Sequence, residues 1–467
     1  MPPSLLLAMT LAAIPRGDCL ERLGPVPQPF DAVAHALCDD LSRGSGVGAV
    51  VAMASQGMLR LTLSAGQRCI DQPDTVTSTT PFRIGSITKL VTAALVLVDQ
   101  ERGWLALDEP ITAHALELER GLVGLARTIT IRHLLMHTSG LADVYANPDT
   151  AKLPSHVVLD LLAPAVPRTT PGTLWNYSNT GYYVAGIVLE RRGGASYPEL
   201  VQRDLVDRLA LEHTTAVPEE AVEMDAACGH VRDEHGRWRS LTIAQDFEEL
   251  ALGSPWTIPA GGIVASADDL VRLVLALTDP RDGILDVRSV LEMTTGDLNP
   301  HLSPGQRAAL SAAWRPLADG SKLFHHTGMT GDFSAELSWV PERGVAVAVL
   351  ANTALSMKTT VNASLRAMGI ETIASTATID PVRTRAYVGH YRSADPPFEL
   401  DVTDDEQGHV SIDAPALNWS GAPLTYIDGD RFWVRPSGQP SIELTFIVDR
   451  RTGTLLRTRT FVATRTR

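Results

Sequence analysis

Ser86-Ile87-Thr88-Lys89 opens an apolar stretch and places a lysine three residues after a serine. On a helix those two positions share a face, so the amine can reach the hydroxyl. A serine hydroxyl is a poor nucleophile until a neighbouring base takes its proton, work that a desolvated lysine can do. The helix start adds a backbone N–H and a positive field where an oxyanion would form. By itself S-x-x-K is common as a solvated helix start. Here the lysine is informative, because only four of the 40 basic residues are lysines (Lys89, Lys152, Lys322 and Lys358), and an arginine cannot give up its proton.

Two further constellations could complete a proton path. In Tyr177-Ser178-Asn179 a phenol beside an ammonium can ionise and shuttle a proton, while the Asn179 amide can orient both the lysine and a substrate carbonyl. In His326-Thr327-Gly328-Met329 a glycine-edged strand lets a substrate lie alongside, and the Met329 N–H becomes a candidate second oxyanion donor with that of Ser86. Taken singly, the first reads as a Pro171-Gly172 turn running into a helix cap and the second as a strand end. His133 and His137 stand at i and i+4 but lack the glutamate of H-E-x-x-H, so no metal site is expected. Gly44-Ser45-Gly46-Val47-Gly48 lacks the Lys-Ser/Thr ending of a phosphate loop and reads as a turn.

The elements that must position these groups follow from periodicity. A helix is expected from Phe30 to Gly48, then a hairpin from Ala49 to Ser64 turned at Gln56-Gly57. A core helix runs from Ser86 to Arg102. A mainly helical middle includes Ile131–His137, Thr180–Arg192 and Tyr197–Leu209, with a glycine-rich turn at Pro259–Gly262. Strand patterns return at Leu323–Gly328, Ser334–Val340 and Val345–Leu350. Strands at both ends of a helical middle imply one sheet closed by sequence-distant segments, an α+β arrangement. After about Ala374 the composition changes, and from Phe398 short alternating strands separated by turns describe a small antiparallel barrel. The expected division is an extension over 1–30, a catalytic unit over 31–374 and a barrel over 375–467.

Composition bounds the function classes. With 40 basic against 54 acidic residues the net charge is −14, which argues against a nucleic-acid partner. At 44% hydrophobic and 20% charged residues the chain can bury a large core. The apolar run from Leu5 to Ile14 has no Lys or Arg before Arg16, so an export signal is not expected, and no stretch approaches the ~20 apolar residues needed to cross a bilayer, so neither is a membrane anchor. Cys19, Cys38, Cys69 and Cys228 lack C-x-x-C spacing and are expected to be reduced thiols of a cytoplasmic protein.

The order Ser-x-x-Lys, Tyr-x-Asn, His-x-Gly resembles the three motifs of the serine β-lactamase-like, penicillin-recognising superfamily. Phe82-Arg83-Ile84-Gly85-Ser86, Arg132–Leu141, Pro259-Ala260-Gly261-Gly262 and Leu350-Ala351-Asn352-Thr353 look like its class C β-lactamase, D-aminopeptidase and esterase branch. The resemblance implies that Ser86 is acylated, that Lys89 and Tyr177 move the proton, and that Asn179 and His326 support them; no cofactor or metal is implied. Where true β-lactamases carry Lys-Thr-Gly this chain has His326, which favours a peptidase, esterase or acyltransferase. The tail, with Tyr387-Val388-Gly389-His390-Tyr391, resembles the lipocalin-like barrel of some D-aminopeptidases and of penicillin-binding-protein-type thioesterases that cyclise nonribosomal peptides. The implied partner is a small peptide or ester, often with D-residues, delivered in the thioesterase case by a peptidyl carrier protein. Arg431, Arg435, Arg457 and Arg459 sit on or beside barrel strands and are candidates to pair with a substrate carboxylate. A non-catalytic binding protein on the same fold would be expected to lack Ser86, Lys89 or Tyr177.

Overall fold

A computed structural model of the 467-residue chain describes residues 15–115, 127–141, 169–245, 256–296, 307–371 and, with short breaks, 386–466, together with Leu118 and Asp143. The first expected helix spans Asp31–Gly44 and stops short of Gly48, with Ser45 in the left-handed region (φ 53°). Gly48 instead begins a strand, and a side chain there would meet the Gln67 carbonyl oxygen at 2.4 Å, so the position requires glycine. The hairpin forms as β1 (Gly48–Ser55) and β2 (Met58–Gly66). Its turn residues Gln56 and Gly57 both have positive φ, the geometry that matches the twist of paired strands.

The strands between the hairpin and the third motif are short: β3 (Phe82–Arg83), β4 (Thr214–Thr215), β5 (Gly229–Arg232), β6 (Trp238–Leu241) and β7 (Val264–Ala265). β3 and β4 flank β7 in a small sheet that delivers the chain to Ser86, while β5 and β6 pair with each other. After them come β8 (Arg307–Ala309), β9 (Ala312–Pro316), β10 (Lys322–Met329), β11 (Ser334–Val340) and β12 (Val345–Ala351). The main sheet has the order β2-β1-β12-β11-β10-β9-β8, antiparallel throughout, with Ala49 of β1 opposite Ala351 of β12. The α+β expectation holds: the two ends of this unit close one sheet.

Strand alternation gives the sheet two buried faces. Val50, Ala52, Ala54, Phe324, Leu337 and Trp339 join the core shared with the helix Thr88–Glu101. Val51, Met53, Leu323, Val347 and Val349 pack on the other side with the helices Asp31–Gly44 and Lys358–Ala367. Every residue from Thr88 to Asp99 is buried, so this helix is a central rod. Each Leu or Val it buries contributes about 1.5–3 kcal/mol, which holds its first turn in place.

The tail forms a closed barrel of β13 (Gly389–Ala394), β14 (Pro397–Asp404), β15 (Val410–Ala414), β16 (Trp419–Asp428), β17 (Arg431–Val434), β18 (Ile442–Asp449), β19 (Gly453–Arg457) and β20 (Val462–Arg465). Each strand pairs with the next, and β20 closes on β13 with Arg465 opposite Tyr391. Its core is aromatic, with Tyr387 stacked on Phe446 at 4.4 Å.

The cysteine expectation is overturned. Cys19 is bonded to Cys38 and Cys69 to Cys228, leaving no free thiol. The partners lie 19 and 159 residues apart, distances at which spacing carries no signal and only the folded chain brings the sulfurs together. Disulfides persist in oxidising compartments, so the argument for a cytoplasmic protein that rested on reduced thiols no longer stands. Among the described residues no helix is long and apolar enough to cross a membrane.

Candidate active site

Ser86 lies on the tight turn Gly85–Ile87, one step before the helix Thr88–Glu101. The turn is pinned from two sides. Ile84 N–H donates to the Ile263 carbonyl at 3.1 Å, and Ile263 N–H donates to Thr88 Oγ1 at 3.2 Å. Gly85 has φ +50°, and a Cβ on it would meet the Met329 nitrogen at 2.8 Å. A Cβ on Gly328 would lie 1.9 Å from the Ile84 carbonyl oxygen and 3.2 Å from the Ser86 nitrogen. Glycine at both positions lets β10 press backbone to backbone against the turn, so that the Ser86 and Met329 backbone nitrogens both lie at this contact.

Lys89 is completely buried. Its Nζ donates to Ser86 Oγ at 3.1 Å, Asn179 Oδ1 at 2.8 Å and the Ala260 carbonyl at 2.6 Å. Three acceptors satisfy all three donors of an ammonium. The nitrogen also faces aromatic rings, 4.9 Å from the centre of Tyr177 and 5.4 Å from that of Tyr182. The glycine-rich turn read at Pro259–Gly262 is what brings the Ala260 carbonyl here. Thr92 Oγ1 ties that turn to the helix Thr88–Glu101 through the Pro259 carbonyl at 2.6 Å.

Tyr177 sits on an extended loop just before the helix Asn179–Gly193, whose N-cap is Ser178 accepting from Gly181 N–H at 3.2 Å. His137, set aside above as a metal ligand, is the platform of this loop. Its ring stacks on Tyr177 with centroids 4.4 Å apart. Its Nδ1 accepts from Ser178 N–H at 3.1 Å, and its carbonyl accepts from Asn176 N–H at 2.7 Å. His137 adopts φ +57° to do this. His133 caps its own helix, Nδ1 accepting from Thr130 N–H at 3.2 Å. Among the described residues no group of three or more His, Cys, Asp and Glu side chains could hold a metal ion.

Asp143 was not singled out from sequence. Its carboxylate accepts from the backbone N–H of Asn179 and, at 3.4 Å, from Asn179 Nδ2. The amide is thereby oriented, nitrogen to Asp143 and oxygen to Lys89. The acid also faces the positive end of the helix Asn179–Gly193.

His326 lies on β10 with Nδ1 donating to the Thr327 carbonyl at 2.8 Å. Burial and the nearby Lys89 charge push its pKa down to about 3, so it stands as a neutral imidazole where a third-motif lysine would carry charge. The Met329 side chain, 69% exposed, is an apolar group at the mouth of the site.

The barrel arginines divide. Arg457 is buried and bonded to the Trp175 carbonyl and to Thr445 Oγ1. Arg431 lies 3.4 Å from Glu443 and close enough to His325 to help depress its pKa to about 4, after burial and Arg315. Arg435 is exposed at the end of β17, and Arg459 lies outside the described residues.

The profile of the β-lactamase family matches residues 33–368. Protein flp of Staphylococcus aureus (strain COL) is 23% identical over 316 residues, 67% of this chain and 61% of that protein. This chain therefore spans about three-fifths of that relative's length. Penicillin-binding protein 4 of Amycolatopsis lactamdurans is 28% identical over 292 residues, 59% of this chain and 73% of the relative. Among solved structures, an octameric penicillin-binding protein homologue from Pyrococcus abyssi superimposes with a TM-score of 0.65 at 21% identity, over 93% of this chain and 100% of that one. SurE with D-Leu gives 0.67 at 24% identity, over 93% and 99%. A D-stereospecific amidohydrolase from Streptomyces sp. gives 0.59 at 24% identity, over 71% of this chain and 97% of its own.

Proposed function

From the premise that the chain belongs to the β-lactamase family of serine hydrolases, we propose that it is an acyl-enzyme hydrolase or acyltransferase acting on peptides or esters with D-amino-acid residues. The observation that carries this reading is the buried Lys89 Nζ donating to Ser86 Oγ at 3.1 Å, where β10 packs backbone to backbone against the Ser86 turn. Ser86 Oγ attacks the substrate carbonyl and its proton passes to the Lys89–Tyr177 pair. The oxyanion is held by the N–H groups of Ser86 and Met329. The leaving group takes the proton back as the tetrahedral centre collapses to an acyl-enzyme. Asn179 keeps Lys89 in line, and the neutral His326 leaves the third-motif side without the cation that would favour a substrate carboxylate. A non-catalytic binding protein would have no use for this set.

We divide the chain into a catalytic unit over 31–374 and a lipocalin-like barrel over 375–467. A second reading, a thioesterase that cyclises a nonribosomal peptide delivered by a carrier protein, is supported by the bond from Arg457 of the barrel to the loop before Tyr177. A site bounded by a second unit excludes water and lets the peptide's own amine compete for the acyl group. The substrate expectation of a D-residue is supported by the likeness to SurE with D-Leu and to a D-stereospecific amidohydrolase.

The test is incubation with D-amino-acid amides and peptidyl thioesters, read by intact mass and by product mass. Native protein should gain the acyl mass and Ser86→Ala should not. Equal adducts on both, or none on native protein with any substrate or with a fluorophosphonate, would overturn the acyl-enzyme. Cyclic product against hydrolysed product separates the two acceptors.

A further inference from the structure

The barrel reaches the loop of Tyr177 through one buried cation. Thr445 on β18 stands opposite Arg431 on β17 and Arg457 on β19, so the three share one face of the barrel wall. The flanking Phe446 and Leu456 fill the barrel core, which puts Arg457 on the outer face. Arg457 is nevertheless only 3% exposed, because the catalytic unit covers it. Its guanidinium donates to Thr445 Oγ1 at 2.9 Å and to the Trp175 carbonyl, and it lies over the Trp175 indole, 4.9 Å from the ring centre. The same indole meets His137 edge-on at 5.8 Å and Tyr177 at 6.4 Å.

Two features mark this contact as more than packing. Among the described residues Arg457 has no carboxylate within ion-pair distance, and desolvation pulls its pKa down to about 10 against the weaker pull of Glu443. Keeping a charge buried on such terms is costly, and the bonds to Thr445 and Trp175 with the indole contact are what offset it. The Trp175 carbonyl lies in a loop outside helix and strand, and Arg457 is its hydrogen-bond partner among the described residues. Removing the guanidinium would leave the Trp175–Asn176 peptide held from one side, by the His137 carbonyl on Asn176 N–H at 2.7 Å, at a point two residues from the phenol.

We propose that Arg457 is a positioning residue for Tyr177: by clamping the carbonyl and indole of Trp175 to the barrel, it holds the phenol ring beside Lys89. The barrel is then part of the catalytic apparatus and not only a selector of substrates. This rests on the acyl-enzyme reading above.

The test uses full-length native protein, Arg457→Met and Thr445→Val, assayed on a neutral p-nitrophenyl acyl ester and on an analogue carrying a free carboxylate. Misplacing a catalytic group by about 1 Å costs on the order of a hundredfold. Arg457→Met should therefore lose on the order of tenfold to a hundredfold in kcat on both esters, with KM within about twofold. Its kcat–pH profile should shift, and the fluorophosphonate should still mark Ser86, more slowly. Thr445→Val keeps the guanidinium but removes its barrel anchor, and should show a smaller kcat loss in the same direction. Native kcat on both esters would overturn the proposal. So would a KM rise confined to the carboxylate analogue, which would make Arg457 a substrate-binding group. If Arg457→Met fails to fold, as read by its melting curve, Thr445→Val decides, and a native kcat there overturns the clamp. Absence of any Ser86 adduct in native protein would instead remove the acyl-enzyme reading, and the clamp would fall with it.

Discussion

Replacing Gly328 by alanine probes the approach of β10 to the nucleophile turn. The new methyl would stand 1.9 Å from the Ile84 carbonyl oxygen, 2.9 Å from its carbon and 3.2 Å from the Ser86 nitrogen. Relaxed contact begins near 3.4 Å, so strand and turn must part by about 1.5 Å. All three partners are backbone atoms, and none can rotate out of the way. β10 is held from behind by β11, with Gly328 opposite Ala335, and the turn is held by the bond from Ile84 to Ile263. The separation must therefore open between Ser86 N–H and Met329 N–H. Oxyanion donors work at about 2.7–3.1 Å, so an opening of that size removes one of the two, worth about 10²–10³ in kcat. Overpacking should also cost about 1–3 kcal/mol of stability, a fall of several degrees in Tm. Fluorophosphonate labelling of Ser86 and steady-state ester hydrolysis, both well below the variant's Tm, measure the first effect. Gly17→Ala, where a methyl meets nothing within 4 Å, is the control. Native rate and native Tm in Gly328→Ala would refute the close approach and with it the assignment of these two donors.

Asp143→Ala should lower kcat about tenfold while the helix Asn179–Gly193 loses about 1 kcal/mol of N-terminal support; unchanged kinetics would mean Asn179 needs no help to face Lys89. Acid should destabilise the fold through its histidines: His230, His325 and His326 all have folded pKa values below the free value of 6.5, chiefly from burial. The unfolded chain then binds more protons, so their contribution is full above about pH 6.5 and is lost as pH falls toward the folded values; a Tm that stays level from neutral pH down to about 4 would contradict this. Reducing the Cys69–Cys228 bond, which closes a 159-residue loop, should cost about 5 kcal/mol on the chain-entropy scale. Equal melting curves with and without reductant, with thiol alkylation confirming reduction, would show that the bond does not constrain the unfolded chain.

What could be read in the sequence and what could not follow from how far each interaction reaches along the chain. Ser86 and Lys89 are three residues apart, so one helical turn predicts their contact, and Gln56-Gly57 predicts its hairpin for the same local reason. The strands of the main sheet were legible because each is a short apolar run bounded by turn residues, a signal local to the strand. Lys89's other partners are not local: Asn179 lies 90 residues away and Ala260 171. The tyrosine and glycine motifs could be seen there, but the lysine's three-acceptor nest could not. His137 carried a misleading local signal, since its i+4 spacing from His133 suggests a shared helix face. The chain instead leaves the helix at Leu135, and a left-handed His137 turns its ring under Tyr177. Asp143 carried no signal, because an acid that caps a helix 36 residues downstream looks like any loop aspartate. Arg457 was visible as a cation on a barrel strand, but the Trp175 carbonyl it reaches is 282 residues earlier, and only folding shows that its donors are turned to the protein. The chemistry of the site was thus written in local motifs, while its geometry is set by Asp143, His137 and Arg457. If that division is right, substitutions in the second group should leave Ser86 able to react and slow how fast it does so.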